Sequence, residues 1–231
     1  MKVTQNRNLE TTSMGLLLGY FILSIFLNSL GNALTVSLNL GSALWTAAAV
    51  NIAKITPISL SAMLFISGFI VIIVNLIILK KVNLKRILGN LIFMTPFSIL
   101  VGIFATELVK LGIHSLNLPV RIFLDCLGVV LIAIAISLYQ RINWMLHPVD
   151  DLMQIIRFKY FKGSSTIAQL VTFTPPIVAI IISVIVSHHI YAINVGTIFA
   201  LLCQGPIVGI ADKIVFPSLK HRNLDKIKVK T

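Results

Sequence analysis

"NWMLHPVDDLMQIIRFKYFKG" (Asn143–Gly163) is the least apolar internal stretch of a very apolar chain. Whether it crosses a membrane, lies on one or leaves it decides the topology of the whole molecule. Its apolar residues Met145, Leu146, Val149, Leu152, Met153, Ile155 and Ile156 approximate one helical face. Pro148 lacks an amide proton and suits a first helical turn. Asp150 and Asp151 then fall where a helix dipole favours acid, and Arg157 and Lys159 follow the apolar face. A helix over Trp144–Phe158 is therefore expected, and it is too short to cross a hydrocarbon core of about 30 Å. Leu40–Ala53 ("LGSALWTAAAVNIA") is a second segment of this kind. Both are expected to be interfacial or re-entrant helices, the later one with its N-terminal end tucked against the bundle.

Around these lie six longer apolar runs: Met14–Val36, Ile58–Leu79, Ile87–Val109, Pro119–Tyr139, Thr166–Ser187 and Tyr191–Val215. At about 1.5 Å per residue each reaches roughly 31–38 Å, enough to span with some tilt. Composition agrees. The 231 residues are 57% hydrophobic and only 11% charged, whereas soluble domains carry about a quarter charged residues. The net charge of +12 would suggest nucleic acid in a soluble protein. Here the basic residues sit in loops and the C-terminal tail, where membrane orientation and anionic headgroups account for them.

Loop charge fixes the topology. With six spans and the N-terminus inside, Lys54, Lys110 and Arg121 face out, and the other 16 of the 19 Lys and Arg residues face in. Short cytoplasmic loops carry such an excess. Both termini are thus expected in the cytoplasm, and Asn143–Gly163 becomes a cytoplasmic connection between the fourth and fifth spans. The organisation reads as a cytoplasmic segment (1–13), a first membrane repeat (14–110), a second (111–217) and a basic tail (218–231). Each repeat runs long span, short segment, long span, long span. "RILGNLIFMTPFS" (Arg86–Ser98) aligns with "GTIFALLCQGPIV" (Gly196–Val208), placing Pro96 on Pro206, and Gly31 and Gly128 head the approaches to the two short segments. Three spans per repeat is odd, so the copies enter the bilayer in opposite senses, as in many secondary transporters. The expected fold class is all-α, polytopic, with an inverted internal repeat.

The Leu40-Gly41…Trp45-Thr46 element, Pro148-Val149-Asp150 and "GTIFALLCQGPIVG" (Gly196–Gly209) give a resemblance to the YczE/YitT-like bacterial integral membrane proteins over roughly Gly15 to Ile210. Thr46 stands where those proteins have Asp, and Leu44 where they have Pro. The resemblance implies a bacterial cell-membrane protein without a settled biochemical activity.

The candidate solute or ion path comprises Asn28, Asn32, Trp45, Thr46, Asp125, Trp144, His147 and Asp150. Asn28 and Asn32 share a helical face, as do His147 and Asp150. An acid inside a span, such as Asp125, is costly enough to suggest use. Arg121 and Asp125, Glu107 and Lys110, and Asp212 and Lys213 are spaced for local ion pairs. Pro175 and Pro176 interrupt the fifth span. "FKGSST" (Phe161–Thr166) reads as a loop with a helix N-cap. Cys126 and Cys203 have no partner at metal-ligand spacing, and no P-loop, G-x-S-x-G, H-E-x-x-H or C-x-x-C occurs. No enzyme activity, cofactor or metal is expected. Expected partners are anionic lipid headgroups, a small solute, and a second copy or another membrane protein. Two functions stay open: small-solute transport, and scaffolding or assistance of a partner through the basic face. A polar path between the halves would favour the first.

Overall fold

The computed structural model describes residues 13–162 and 164–220. Most of the expected N-terminal segment and basic tail, and Gly163 of the expected loop, lie outside them. The described residues form helices α1 (Met14–Leu38), α2 (Leu44–Ile55), α3 (Leu60–Leu79), α4 (Leu84–Lys110), α5 (Leu118–Ile142), α6 (Pro148–Lys159), α7 (Ser165–Ser187) and α8 (Val195–Ile214), with one 3₁₀ turn at Ile113–Ser115 and no strand. Six of them, all but α2 and α6, are long and apolar enough to span a membrane. Their exposed faces carry side chains such as Ile70, Leu88, Ile103, Ile182 and Leu202, which only a lipid surround solvates well. The chain is an all-helical, multi-pass integral membrane protein.

The short helices start later than their apolar pattern suggests. α1 and α5 each run 25 residues and stop on an asparagine in the left-handed conformation, Asn39 and Asn143, both at φ 51°. Asparagine tolerates that conformation better than most residues. A non-helical connector follows in each case, and then a 12-residue helix. Leu40, Trp144, Met145 and Leu146 therefore pack as connector residues, which removes Trp144–His147 from the expected helix.

α1 and α5 run antiparallel through the centre: the Arg121 guanidinium at the start of α5 donates to the Leu38 carbonyl at the end of α1 (2.6 Å). They touch backbone to backbone. A Cβ on Gly31 would lie 2.6 Å from the Gly128 oxygen, and one on Gly128 would lie 2.9 Å from the Gly31 oxygen. Small residues permit this approach between membrane helices. Outside the central pair, α4 packs on α1 and α8 on α5, while α2 packs on α7 and α6 on α3. α3 also packs closely on α4, with Ser61 against Gly102 and Met94 against Gly68. α7 and α8 make no comparable contact. Both prolines of α7 lie within a continuous helical assignment.

Arg141, 1% exposed, ties the end of α5 to the end of α8. Its guanidinium donates to the carbonyls of Val215 (2.9 Å), Phe216 (3.2 Å) and Leu219 (3.2 Å), and its Nε lies 3.5 Å from the Asp212 carboxylate. A helix C-terminus leaves carbonyls without internal partners, and a cation there answers both their geometry and the dipole.

Candidate functional site

The two connectors are built from main-chain polar groups that a membrane interior cannot leave unsatisfied. In the first, the Ser42 N–H donates to the Ala192 carbonyl (3.0 Å), the Gly196 N–H donates to the Leu40 carbonyl (2.9 Å), and the Thr197 hydroxyl donates to the Ser42 carbonyl (3.0 Å). Gly41 sits at φ 133°, and a Cβ there would fall 2.3 Å from the Thr197 nitrogen, so the crossing requires glycine. In the second, the Asn90 amide donates to the Leu146 carbonyl (2.8 Å) and the Asn75 amide to the Pro148 carbonyl (3.2 Å). Arg86 of α4 grips Asp151 of α6 through Nε (2.9 and 2.7 Å) and Nη2 (2.5 Å). These contacts seat the first turns of α2 and α6 inside the protein, while Phe158, Lys159 and Tyr160 at the far end of α6 are exposed.

Between them lies a cavity of about 520 Å³ to which all eight helices contribute. Asn28 and Asn32 (α1), Trp45 and Thr46 (α2), and His147 and Asp150 at the start of α6 line it, so six of the eight residues proposed from sequence share one space. Trp144 instead packs against the apolar core. Asp125, 1% exposed, lies outside the cavity against Gly196 in the first turn of α8, with its Oδ1 unpartnered. The expected Arg121–Asp125 ion pair is not formed, because the guanidinium turns to the Leu38 carbonyl. Nor does Asp212 turn to Lys213; Arg141 and the Ser137 hydroxyl (2.6 Å) hold it. Glu107 and Lys110 do pair, at 2.8 Å.

Further cavity residues were not singled out from sequence for this path: Tyr139, Gln140 and Arg157, and Gln169, Thr197 and Gln204. Gln204 is an uncharged polar side chain inside an apolar run, and that is the signal that could have found it. Tyr139 gave none, since a tyrosine ending a span is the ordinary interfacial residue.

His147 and Asp150 do not face each other as a pair. The His147 ring stands edge-on to Phe93 and Phe97, and its Nδ1 accepts from the Val149 N–H (3.4 Å), capping α6. Burial pushes its pKa down to about 4, so it is neutral at physiological pH. Asp150 accepts from the Tyr139 hydroxyl (2.5 Å) through Oδ2. Its pKa is pushed up to about 6: burial raises it most, the Tyr139 hydrogen bond lowers it, and the Asp151 charge raises it. Both side chains keep some surface because they open on the cavity, yet protein encloses them.

Thr46, Asn32 and Asn28 form a directed chain. The Thr46 hydroxyl donates to Asn32 Oδ1 (2.6 Å), and Asn32 Nδ2 donates to Asn28 Oδ1 (2.9 Å) and to the Asn28 carbonyl (2.9 Å). The main-chain carbonyl can only accept, so it fixes the Asn32 amide orientation and with it that of Asn28. The Asn28 Nδ2 is left as a donor without a protein partner, on a residue 5% exposed. No group of three or more His, Cys, Asp or Glu able to hold a metal occurs among the described residues.

No curated protein and no solved structure matches the chain. One family model does, across residues 17–213, a stretch that holds α2 to α7 entire and nearly all of α1 and α8. The chain therefore belongs to the family of unknown function DUF6198.

Proposed function

We propose that this protein is a small-solute transporter of the cell membrane and that the central cavity is its solute site. One observation carries the reading: a space of about 520 Å³ with a largely apolar wall and a few convergent polar groups, walled by all eight helices and entered by the first turns of two short helices. Small-molecule sites typically occupy about 300–1,000 Å³. A scaffold has no need of such a space, so the cavity favours transport over assistance to a partner.

The halves are, on this reading, inverted copies. α1 corresponds to α5, α2 to α6, α3 to α7 and α4 to α8. The equal lengths of α1 and α5 and of α2 and α6, the matching asparagine ends, and the reciprocal packing of α2 on α7 and α6 on α3 support it. Equal helix ends pair Thr46 with Asp150 and Trp45 with Val149, so the two tryptophans are not counterparts. The likeness to YczE/YitT-like proteins and the charge bias towards the inner loops support a bacterial cell membrane with both termini cytoplasmic. The test is uptake of a metabolite panel into proteoliposomes, with thermal shift in detergent to choose the panel. At least one solute should stabilise the protein and accumulate. A protein that moves none, and whose single Cys at Gln204 ignores water-soluble thiol reagents, is not a transporter of this design.

A further inference from the structure

The two ends of the cavity differ in hydrogen-bonding character. At the α2 end the polar groups left without a partner are donors. The N-cap Ala43 supplies no side-chain acceptor, and the first turn holds no acid. The leading N–H groups of a helix have no partner within it, and Leu44, Trp45 and Thr46 all line the cavity. The Asn28 amide, buried and fixed in orientation by Asn32, adds a further donor with no protein partner. At the α6 end the corresponding turn is acidic and already capped by His147. Asp151 is taken by Arg86, whereas Asp150 shares only Oδ2, with Tyr139, and is the one acid among the described residues lining the cavity.

We propose that the cavity binds a small zwitterion of amino-acid type, its carboxylate against the α2 first turn and Asn28, and its ammonium on Asp150. The assignment rests on the cavity being the solute site. An anion alone would leave Asp150 without a matching charge, since the Arg157 guanidinium lines the cavity two turns further along α6 and makes no ion pair with it. A cation alone would leave the α2 donors without an acceptor from the ligand. In both cases the ligand displaces water from a polar group without replacing its hydrogen bond, and a zwitterion removes both faults. The helix ends supply the polarity: an uncapped N-terminus attracts a carboxylate, while Asp150 reverses the sign of the α6 terminus.

The test is calorimetric titration of the purified full-length protein in detergent with each of the twenty common amino acids. For each binder, the decarboxylated amine and the deaminated acid are then titrated. At least one amino acid should bind, and each one-charge analogue should bind about tenfold more weakly or worse. Asp150→Asn should erase the preference over the deaminated acid, and Asn28→Asp should erase the preference over the amine. An amine or acid that binds as tightly as its parent overturns the proposal, as does the failure of all twenty to bind. The transport reading fails separately. An amino acid that binds but never enters proteoliposomes ends transport and leaves the zwitterion site standing. A one-charge solute that is bound and carried does the reverse.

Discussion

Adjacent aspartates in α6 have been given opposite work. Asp151 is 2% exposed and shared between Arg86 contacts, so it holds α6 to α4. Removing one partner of a fully buried pair costs about 3–5 kcal/mol, and less here because the Arg86 side chain keeps 34% exposure and solvent screens the pair. Asp151→Asn should therefore lower the melting temperature in detergent at pH 7, and Arg86→Met should do the same. Asp150 behaves differently because its pKa is raised, from 3.8 to about 6. The folded protein holds that proton more tightly than the unfolded chain, so its contribution is fully present below about pH 3.8 and lost as pH rises through about 6. Of the groups around it, Tyr139 donates to it, His147 is neutral, Asp151 is paired with Arg86, and the Arg157 guanidinium lines the same cavity two turns further along α6 without an ion pair to it. Asp150→Asn should be at least as stable as the parent at pH 7.5, with the difference shrinking towards pH 5. Ligand binding should follow the opposite course, with the ammonium losing its carboxylate as pH falls through about 6. Binding that is unchanged between pH 7.5 and 5 would show that Asp150 does not meet a cation.

Among the helices, the central α1–α5 contact and the Arg141 latch are the joints with least tolerance. Gly31→Leu would drive a side chain into the Gly128 backbone, which cannot yield as a side-chain tip can. Overpacking costs about 1–3 kcal/mol and often more against backbone, so the variant should unfold at markedly lower temperature. Arg141→Lys should recover part of the stability lost in Arg141→Met, because an ammonium replaces the charge but not the fork of donors. The spans were legible because length and apolarity alone define them. The joints were not. Gly31 and Gly128 were visible as approaches to the short segments, but nothing local says that they touch. The start of α6 was misplaced because Trp144, Met145 and Leu146 continue the apolar pattern of the helix, while the asparagine at 143 had already turned the chain. Trp45 and Thr46 come from the motif resemblance and His147 and Asp150 from their spacing, whereas Asn28 and Asn32 stand out as polar residues in an apolar span. Asp125 has that character too but lies elsewhere, since composition records a residue's cost and not its direction.

For the molecule as a whole, the proposed orientation rests on the charge bias: reporter fusions after Lys85 and Lys162 should read cytoplasmic, and those after Lys54 and His114 external. An external signal at Lys85 would remove the inverted arrangement. One asymmetry then matters. α3 lies closed on α4, whereas α7 and α8 stand apart beside the cavity. If the halves are copies, a second shape is available to the same chain, in which α7 closes on α8 and α3 swings from α4. Each half would then adopt the pose its twin holds now, and the solute would see the opposite side of the bilayer. A disulfide from Ser61→Cys to Gly102→Cys, in a background without Cys126 and Cys203, should lock this exchange: binding retained, flux abolished, flux restored by reductant. Flux that persists with the bridge intact would mean that the α3–α4 joint never opens, and that the two halves, however alike in build, do not take turns.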